Sequence, residues 1–152
     1  METLSTKSLL VIEDSDEDFI AMQRIIGKLS VTLPVYHCVD AEDALDFLYH
    51  QGEYTDQEIA PRPSVIMLDL NLPGTDGLEV LAQIKQDEQL KMIPVVVFTT
   101  SSNPKDIESC YNYGANGYMI KPIDVIKLEE SIRNFINYWF KVVTLVNALE
   151  HH

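Results

Sequence analysis

The sequence is poor in positive charge. It contains 11 Lys and Arg residues against 24 Asp and Glu residues, and its formal net charge at pH 7 is −13. Binding to the phosphates of a nucleic acid requires clustered Lys and Arg side chains, so this balance argues against a nucleic-acid partner. Most of the acidic side chains must form a solvated surface, because charged groups are rarely buried without a partner.

Cysteines and long apolar runs are also scarce. Cys38 and Cys110 lie far apart and lack a Cys-x-x-Cys spacing, so the sequence suggests neither a zinc site nor a disulfide framework. The first residues, METLSTKSLLVIED, reach charged side chains before any long apolar run, and no run has the length of a membrane span. We therefore expect a protein of the reducing cytoplasm, without a signal peptide or a membrane segment.

No repeat or low-complexity linker divides the chain. Its 152 residues, 46% of them hydrophobic, are enough for one domain with a substantial core. We expect this single domain to occupy residues 1–148. The final LEHH, residues 149–152, resembles the start of an affinity tag and is left out of the fold prediction.

Short apolar runs alternate with segments of helical period, which predicts βα units around a parallel sheet. The expected strands are residues 9–12, 35–39, 65–68, 95–98 and 118–120. The expected helices begin near Asp16, after Asp40, near Gly77, at Asn103–Pro104 and near Asp124. Five strands in strict alternation with five helices indicate one α/β domain.

The last expected helix, about residues 124–144, is long for so small a domain. One apolar stripe runs along it: Leu128, Ile132, Phe135, Ile136, Trp139 and Val143. Tyr138 and Phe140 flank this stripe, so the helix carries more aromatic side chains than one buried face requires. Exposed apolar patches of this kind usually mark interfaces, and we expect a homodimer that uses this helix, extended by residues 142–146.

Polar side chains stand where four of the expected strands end. Glu13 and Asp14 follow the first strand, Asp69 the third, Thr99 the fourth and Lys121 the fifth. The carboxyl ends of parallel strands lie on one edge of the sheet, where ligands bind at the point at which the strand order reverses. The sequence therefore predicts three carboxylates, a hydroxyl and an ammonium in one pocket.

Three neighbouring carboxylates repel one another and need a cation or bound protons. Oxygen ligands suit a hard ion, either Mg²⁺ or Mn²⁺. A metal ion beside a nucleophilic carboxylate and a lysine is the arrangement that phosphoryl transfer requires, because both cations neutralise charge on the phosphoryl oxygens. Asp69 is the expected nucleophile, held rigidly at the end of a buried strand.

Other interpretations of single residues remain open at this point. Asp69 alone could cap the turn into the third helix, Glu13 could be an acid at a helix entry, and Thr100 could replace Thr99 as the functional hydroxyl. A phosphatase with an aspartate nucleophile would carry a second acid two residues later as its general acid, but that position is Asn71. His37 and His50 have no metal-binding partner at a suitable spacing, so we expect both to be structural or exposed.

Four motifs in order, LLVIED, VIMLDLNLPGTDG, PVVVFTTS and GANGYMIKP, resemble the response-regulator receiver domains of two-component signalling. The resemblance covers about residues 7–140. It implies a flavodoxin-like, doubly wound parallel sheet in the order 2-1-3-4-5 with five helices. A degenerate receiver that acts as a phosphorylation-independent adaptor is a further alternative within the same fold.

The resemblance also implies roles for the strand-end residues. Asp69 would be the phosphoacceptor, in a self-catalysed transfer followed by slow hydrolysis, and the protein would not be a conventional enzyme. Asp14, Asp69 and the backbone carbonyl of Asn71 would bind Mg²⁺, with Glu13 helping through water. Thr99 would hydrogen-bond the phosphoryl group and Lys121 would pair with it. These residues form the metal and phosphoryl site that the family predicts.

Two further features follow from the resemblance. Thr99 would turn toward the phosphoryl group and make room for Tyr118, which would change the surface formed by the fourth helix, the fifth strand and the fifth helix. The peptide bond between Lys121 and Pro122 would be cis and would aim the lysine at the pocket. Tyr118 is by default a core or edge aromatic, so its switch role depends on the family likeness.

A narrower likeness concerns whole segments. The long connection at residues 50–64, the LNLP and TTS sequences and the ending NYWFKVVTL resemble stand-alone regulators paired with phytochrome-type histidine kinases. The implied partners are such a kinase and a downstream protein, because no effector domain is expected after the last helix. The implied homodimer would use the C-terminal helix and the face of the fourth helix and fifth strand.

Overall fold

A computed structural model describes residues 7–146 and contains one large sheet and one small hairpin. The strands are β1 (Leu9–Ile12), β2 (Val35–Cys38), β3 (Val65–Leu68), β4 (Asn71–Leu72), β5 (Thr75–Asp76), β6 (Val95–Thr99) and β7 (Gly117–Ile120). The large sheet is parallel, in the order β2-β1-β3-β6-β7. Its five strands follow the predicted order 2-1-3-4-5, whereas the antiparallel β4–β5 pair was not predicted.

Four α-helices connect strands of the large sheet, and a fifth follows its last strand. They are α1 (Asp16–Gly27), α2 (Ala41–Tyr49), α3 (Gly77–Gln86), α4 (Pro104–Asn112) and α5 (Val125–Asn137). A polar side chain accepts a hydrogen bond from the first turn of each helix: Ser15, Asp40, Asp76, Asn103 and Asp124. These caps satisfy amide groups that have no partner within the helix, which is why the predicted starts are confirmed.

The helices cover both faces of the sheet. α1 and α5 pack on one face, while α2, α3 and α4 pack on the other. β1, β3 and β6 are buried along their whole length, so their side chains are apolar on both faces rather than alternating. The doubly wound α/β fold is confirmed. The free cysteines Cys38 and Cys110 are buried within it.

The C-terminal helix differs from its prediction. α5 ends at Asn137 and is followed by one π-helical turn over Tyr138–Val142, in which the Val143 amide donates to the Tyr138 carbonyl at 2.8 Å. A π turn holds about one residue more than an α turn and so changes which side chains face the sheet. Phe140, predicted to flank the buried stripe, lies inward with 8% of its surface exposed. That prediction was wrong. The helical segment as a whole ends at Val142, two residues before the predicted end, and its last turn is π rather than α.

The predicted boundaries of the domain extend beyond the described part of the chain. Residues 1–6 and 147–152, which include the presumed tag remnant at 149–152, lie outside the described residues. Within residues 7–146, no helix combines the length and the apolar composition that crossing a bilayer demands.

Candidate functional site

Backbone hydrogen bonds between neighbouring strands fix the positions of the predicted site residues. The Glu13 amide donates to the Cys38 carbonyl at 2.9 Å, and the Asp69 amide donates to the Ile12 carbonyl at 3.0 Å. The Lys121 amide likewise donates to the Thr99 carbonyl at 2.7 Å. Each residue is therefore held in register by the strand beside its own, and a slip of one residue would turn its side chain to the other face.

Three predicted acids meet at the carboxyl edge of the sheet. Carboxylate oxygens of Glu13, Asp14 and Asp69 all lie within 4.8 Å of one another. Glu13 and Asp69 are buried, with 3% and 6% of their surfaces exposed, whereas Asp14 faces solvent. An all-oxygen donor set that is open to water on one side fits a hard divalent cation, and the mutual repulsion of the three acids favours binding of one.

The ammonium of Lys121 contacts two of these three acids, Glu13 and Asp69. Its Nζ donates to Glu13 Oε1, to Asp69 Oδ2 at 2.8 Å and to Asp18 Oδ2 at 3.1 Å. Burial alone would lower the pKa of Lys121, but its hydrogen bonds to Asp69 and Glu13 raise that pKa above the ordinary value. The lysine therefore stays charged and uses all three of its N–H donors.

Burial has the opposite consequence for Glu13. It raises the pKa of Glu13 to about 7 against the hydrogen bonds from Lys121 and from the backbone of Ser15, and the nearby charge of Asp69 raises it further. The Ser15 amide donates to Glu13 Oε2 at 3.0 Å. Near neutral pH, a proton and a metal ion would therefore compete for this carboxylate.

The expected cis bond before Pro122 was wrong. No peptide bond within residues 7–146 is cis, so the Lys121–Pro122 bond is trans. The trans form is the favoured isomer even before proline, and Lys121 reaches both Glu13 and Asp69 with it.

Asn71 connects the acidic group to the predicted hydroxyl. Its backbone amide donates to Asp69 Oδ1 at 3.0 Å, and its side-chain Nδ2 donates to Thr99 Oγ1 at 3.4 Å. Thr99 is fully buried at the end of β6, whereas Thr100 is exposed. The structure therefore brings Thr99, rather than Thr100, to the site.

A glycine lets α3 approach the end of β3 closely. A Cβ atom at Gly77 would lie 2.6 Å from the Asp69 carbonyl oxygen and 2.7 Å from the Cα of Leu70. The turn between β4 and β5 brings the chain to this contact, with Gly74 at a φ of +74° after Pro73. The backbone of Asp69, the candidate phosphoacceptor, therefore contacts the end of β1 through its amide and the start of α3 through its carbonyl oxygen.

Tyr118 lies beside the loop that leaves β6. Its hydroxyl donates to the Ser101 carbonyl at 2.9 Å, and the Ser101 hydroxyl donates to Asp106 Oδ2 at 2.6 Å. The predicted switch residue is thereby linked through Ser101 to the first turn of α4. Neither Ser101 nor Asp106 was predicted, because a serine and an acid near a helix start are usual capping residues.

The two histidines are structural, as expected. His37 stacks on Phe19 with ring centroids 3.9 Å apart, and its Nε2 lies 2.6 Å from the Glu13 carbonyl oxygen. His50 Nε2 lies 2.8 Å from the Ala60 carbonyl oxygen. His37 therefore supports the end of β1 from β2, a contact for which the sequence holds no local signal.

Comparison with known proteins agrees with this geometry. Residues 9–133 match the response regulator receiver domain. The chain is 40% identical over 147 residues to the response regulator Rcp1 of Synechocystis sp. (strain ATCC 27184 / PCC 6803 / Kazusa), which covers 97% of this chain and 98% of Rcp1.

Two solved structures are similar throughout. The Mn²⁺-bound form of Rcp1 has a TM-score of 0.85 at 40% identity, over 92% of this chain and 99% of that one. The phosphorylated cyanobacterial phytochrome response regulator RcpA has a TM-score of 0.86 at 37% identity, over 91% of this chain and 97% of that one. The chain belongs to the family of response-regulator receiver domains and is homologous to phytochrome response regulators.

Proposed function

We propose that this protein is a stand-alone cytoplasmic response regulator that accepts one phosphoryl group on Asp69 from a histidine kinase. The observation that carries the proposal is the position of Asp69, whose Oδ2 lies 2.8 Å from the Lys121 ammonium and whose carboxylate belongs to the acidic group with Glu13 and Asp14. A buried nucleophile between a fixed ammonium and a divalent-cation site is suited to phosphoryl transfer.

The reaction forms one bond and breaks another. A carboxylate oxygen of Asp69 attacks phosphorus, the P–N bond of a phosphohistidine breaks, and its electron pair remains on the leaving imidazole. Lys121 pairs with a phosphoryl oxygen and Thr99 donates its hydroxyl to another. Slow hydrolysis of the acyl phosphate by water then returns the free carboxylate.

Mg²⁺ is the proposed cofactor, and Mn²⁺ can replace it. Glu13, Asp14, Asp69 and the backbone carbonyl of Asn71 would hold the ion, with Glu13 binding directly or through water. When bound, the ion supplies positive charge that stabilises the phosphoryl oxygens in the transition state. The Mn²⁺-bound form of Rcp1 supports a divalent ion in this family.

The proposed output is a change at the surface formed by α4, β7 and α5. Thr99 turns toward the phosphoryl group, and Tyr118 moves into the space that it leaves, so the hydroxyl contact with Ser101 changes. This switch predicts that Tyr118→Ala abolishes phosphorylation-dependent binding or dimerisation. Unchanged dependence in that variant would eliminate the switch role.

A phytochrome-type histidine kinase is the proposed donor, and a downstream protein is the proposed receiver of the signal. The support is the similarity to RcpA, a phytochrome response regulator, along nearly its whole length. Phosphotransfer from a purified phytochrome-type kinase should be faster than from an unrelated kinase at equal concentration. Equal rates would contradict this choice of partner.

We also propose a homodimer through the C-terminal segment and the face of α4 and β7. Large apolar side chains on this part of the surface are exposed: Tyr111, Tyr113, Ile120, Tyr138, Val142 and Val146. Phe140 is no longer part of this interface, since it is buried. Sedimentation analysis tests the proposal, and a monomer at high micromolar concentration in both phosphorylation states would contradict it.

The test of the central reaction is intact mass after incubation with acetyl phosphate. We expect the gain of one phosphoryl group in the presence of Mg²⁺, and no gain with a chelator or in Asp69→Ala. Glu79→Ala is a matched control, because Glu79 is an exposed acid in the chain segment that follows Asp69 and caps no helix. Failure of the wild-type protein to gain mass would favour the phosphorylation-independent adaptor.

A further inference from the structure

Lys121 has one acidic partner that does not belong to the acidic group of Glu13, Asp14 and Asp69. Asp18 Oδ2 lies 3.1 Å from the Lys121 ammonium. The side chain of Asp18 is 52% exposed, whereas that of Lys121 is only 10% exposed. Asp18 therefore contacts the lysine from the solvent side, at the mouth of the site.

The start of α1 fixes the position of Asp18. Its backbone amide donates to Ser15 Oγ at 3.1 Å, so Asp18 occupies the third position of the capped helix. A side chain at this position commonly turns back toward the cap. Here it reaches Lys121 instead, while the amide of Ser15 holds Glu13. One short segment thus positions two of the three partners of the lysine.

These three partners differ in what happens to them when the site is used. A divalent cation would draw the carboxylates of Glu13 and Asp69 toward itself, and a phosphoryl group would occupy an oxygen of Asp69. Asp18 is not in the acidic group that would hold the cation, so its carboxylate would remain available to the ammonium when the other two partners bind the ion and the phosphoryl group.

We propose that Asp18 is a positioning residue for Lys121, which keeps the ammonium at the mouth of the site while Glu13 and Asp69 bind the metal ion and the phosphoryl group. The inference rests on the proposed phosphoryl transfer. It assigns the exposed acid a part in that reaction, although Asp18 touches neither the phosphoryl group nor the metal ion.

A different effect of the same charge must be separated from positioning. Asp16, Glu17 and Asp18 all lie in the first turn of α1, and any of them could slow an anionic phosphodonor by repulsion. Glu17 is the matched control, because it lies in the same exposed turn and is not among the ion-pair partners of Lys121 within residues 7–146. Glu17→Ala therefore removes an equal charge without removing the contact.

The direct test is the ¹H–¹⁵N NMR signal of the Lys121 ammonium in Mg²⁺-loaded protein. We expect a resolved signal in the wild type, in Glu17→Ala and in Asp18→Glu, which can restore the contact. In Asp18→Ala the ammonium should exchange rapidly with water and its signal should broaden. An unchanged signal in Asp18→Ala would overturn the inference, and this measurement needs no phosphorylation.

The second test is the rate of phosphorylation by acetyl phosphate and by phosphoramidate, two donors that differ in charge. Positioning predicts that Asp18→Ala is about two- to fivefold slower with both donors, as expected for loss of a half-exposed ion pair, and that Asp18→Glu recovers. Faster phosphorylation in both Asp18→Ala and Glu17→Ala, with acetyl phosphate alone, would assign the effect to repulsion and overturn positioning. No phosphorylation of the wild type would instead refute the proposed function.

Discussion

The carboxyl edge of the sheet and the segment after α5 are organised in opposite ways. At the edge, the carboxylates of Glu13 and Asp69 are buried and held by specific hydrogen bonds to Lys121, Ser15 and Asn71. In the segment after α5, Tyr138 and Val142 expose most of their apolar surface, and only Phe140 packs deeply.

The two regions therefore contribute differently: the sheet edge supplies the chemistry of the proposed phosphoryl transfer, and the segment after α5 supplies apolar packing that stabilises the fold. Charged groups at the sheet edge are costly to bury, and their chemistry needs side chains that are held in fixed positions. The C-terminal segment makes few polar contacts with the domain, so its contribution to stability comes from apolar packing. Removal of one side chain should therefore act mainly on phosphoryl transfer at the sheet edge and mainly on stability in the C-terminal segment.

The largest expected effect is on stability in the C-terminal segment. Phe140→Ala removes a buried ring that packs edge-on against Phe135, at 6.5 Å between centroids, and should lower the free energy of unfolding by about 3 kcal/mol. Tyr138→Ala, at the exposed neighbour, should change it by less than about 0.5 kcal/mol. Urea unfolding measures both, and equal losses would show that the π turn does not bury Phe140 in solution.

The next effect is on chemistry at the sheet edge. Lys121→Ala should slow phosphorylation by acetyl phosphate about 100-fold, because it removes a positive charge aimed at the phosphoryl oxygens. The same variant should bind Mg²⁺ more tightly, since Lys121 is the cation that pairs with Glu13 and Asp69 among residues 7–146 and it no longer competes with the ion. Calorimetric titration with Mg²⁺ measures the change in affinity. Weaker Mg²⁺ binding in the variant would contradict the ion pairs of Lys121 with Glu13 and Asp69.

A pair of glycines tests how closely the site depends on packing. Gly77→Ala should lower the free energy of unfolding by about 1–3 kcal/mol and slow phosphorylation, because the new methyl group would collide with the backbone of Asp69 and Leu70. Gly27→Ala, whose added carbon would meet no atom within 4 Å apart from its chain neighbours and the backbone of α1, should raise stability by about 0.5 kcal/mol and leave the rate unchanged. Similar behaviour of both variants would contradict the close contact.

The smallest effect concerns an acid far from the site. The Tyr49 hydroxyl donates to Asp87 at 2.6 Å and, with the backbone amides of Gln89 and Leu90, lowers the pKa of Asp87 below its usual 3.8. A depressed pKa adds stability above about pH 4, and this stability is lost as the pH falls through the lowered value.

Asp87→Asn should therefore be less stable than the wild type by about 1 kcal/mol at pH 7, with the difference shrinking toward pH 3. Urea unfolding at pH 7, 5 and 3 measures it. If the stability difference between the two proteins grew as the pH fell, the pKa of Asp87 could not be lowered by folding. Glu13 provides the contrast, because its burial raises its pKa instead.

The fold and the strand-end residues could be predicted because each produces a recognisable pattern over a few consecutive residues of the sequence. Val65–Leu68 is a short apolar run between polar segments, and Asn103–Pro104 is a helix start by its residue types alone. The topology of a parallel sheet then brings Glu13, Asp69 and Lys121 together without further information.

Contacts between segments that are distant in the sequence produce no such local pattern. The stacking of His37 on Phe19 and the reach of Asp18 to Lys121 depend on side-chain directions that the local sequence does not specify. The π turn at Tyr138–Val142 was missed because its residues continue the apolar spacing of an α-helix. The bond from the Val143 amide to the Tyr138 carbonyl and the inward packing of Phe140 distinguish the π turn from an α turn.

The backbone bonds at the strand ends also connect the site with the order of folding. Residues 13, 69, 99 and 121 come from four segments spread over most of the chain, and their neighbours pair only when β1, β3, β6 and β7 have all joined the sheet. Such long-range pairing forms slowly, because the entropy of loop closure opposes it. A nascent chain that ends before β7 has the nucleophile but not the ammonium, so readiness to accept a phosphoryl group would report that the five-stranded sheet has assembled.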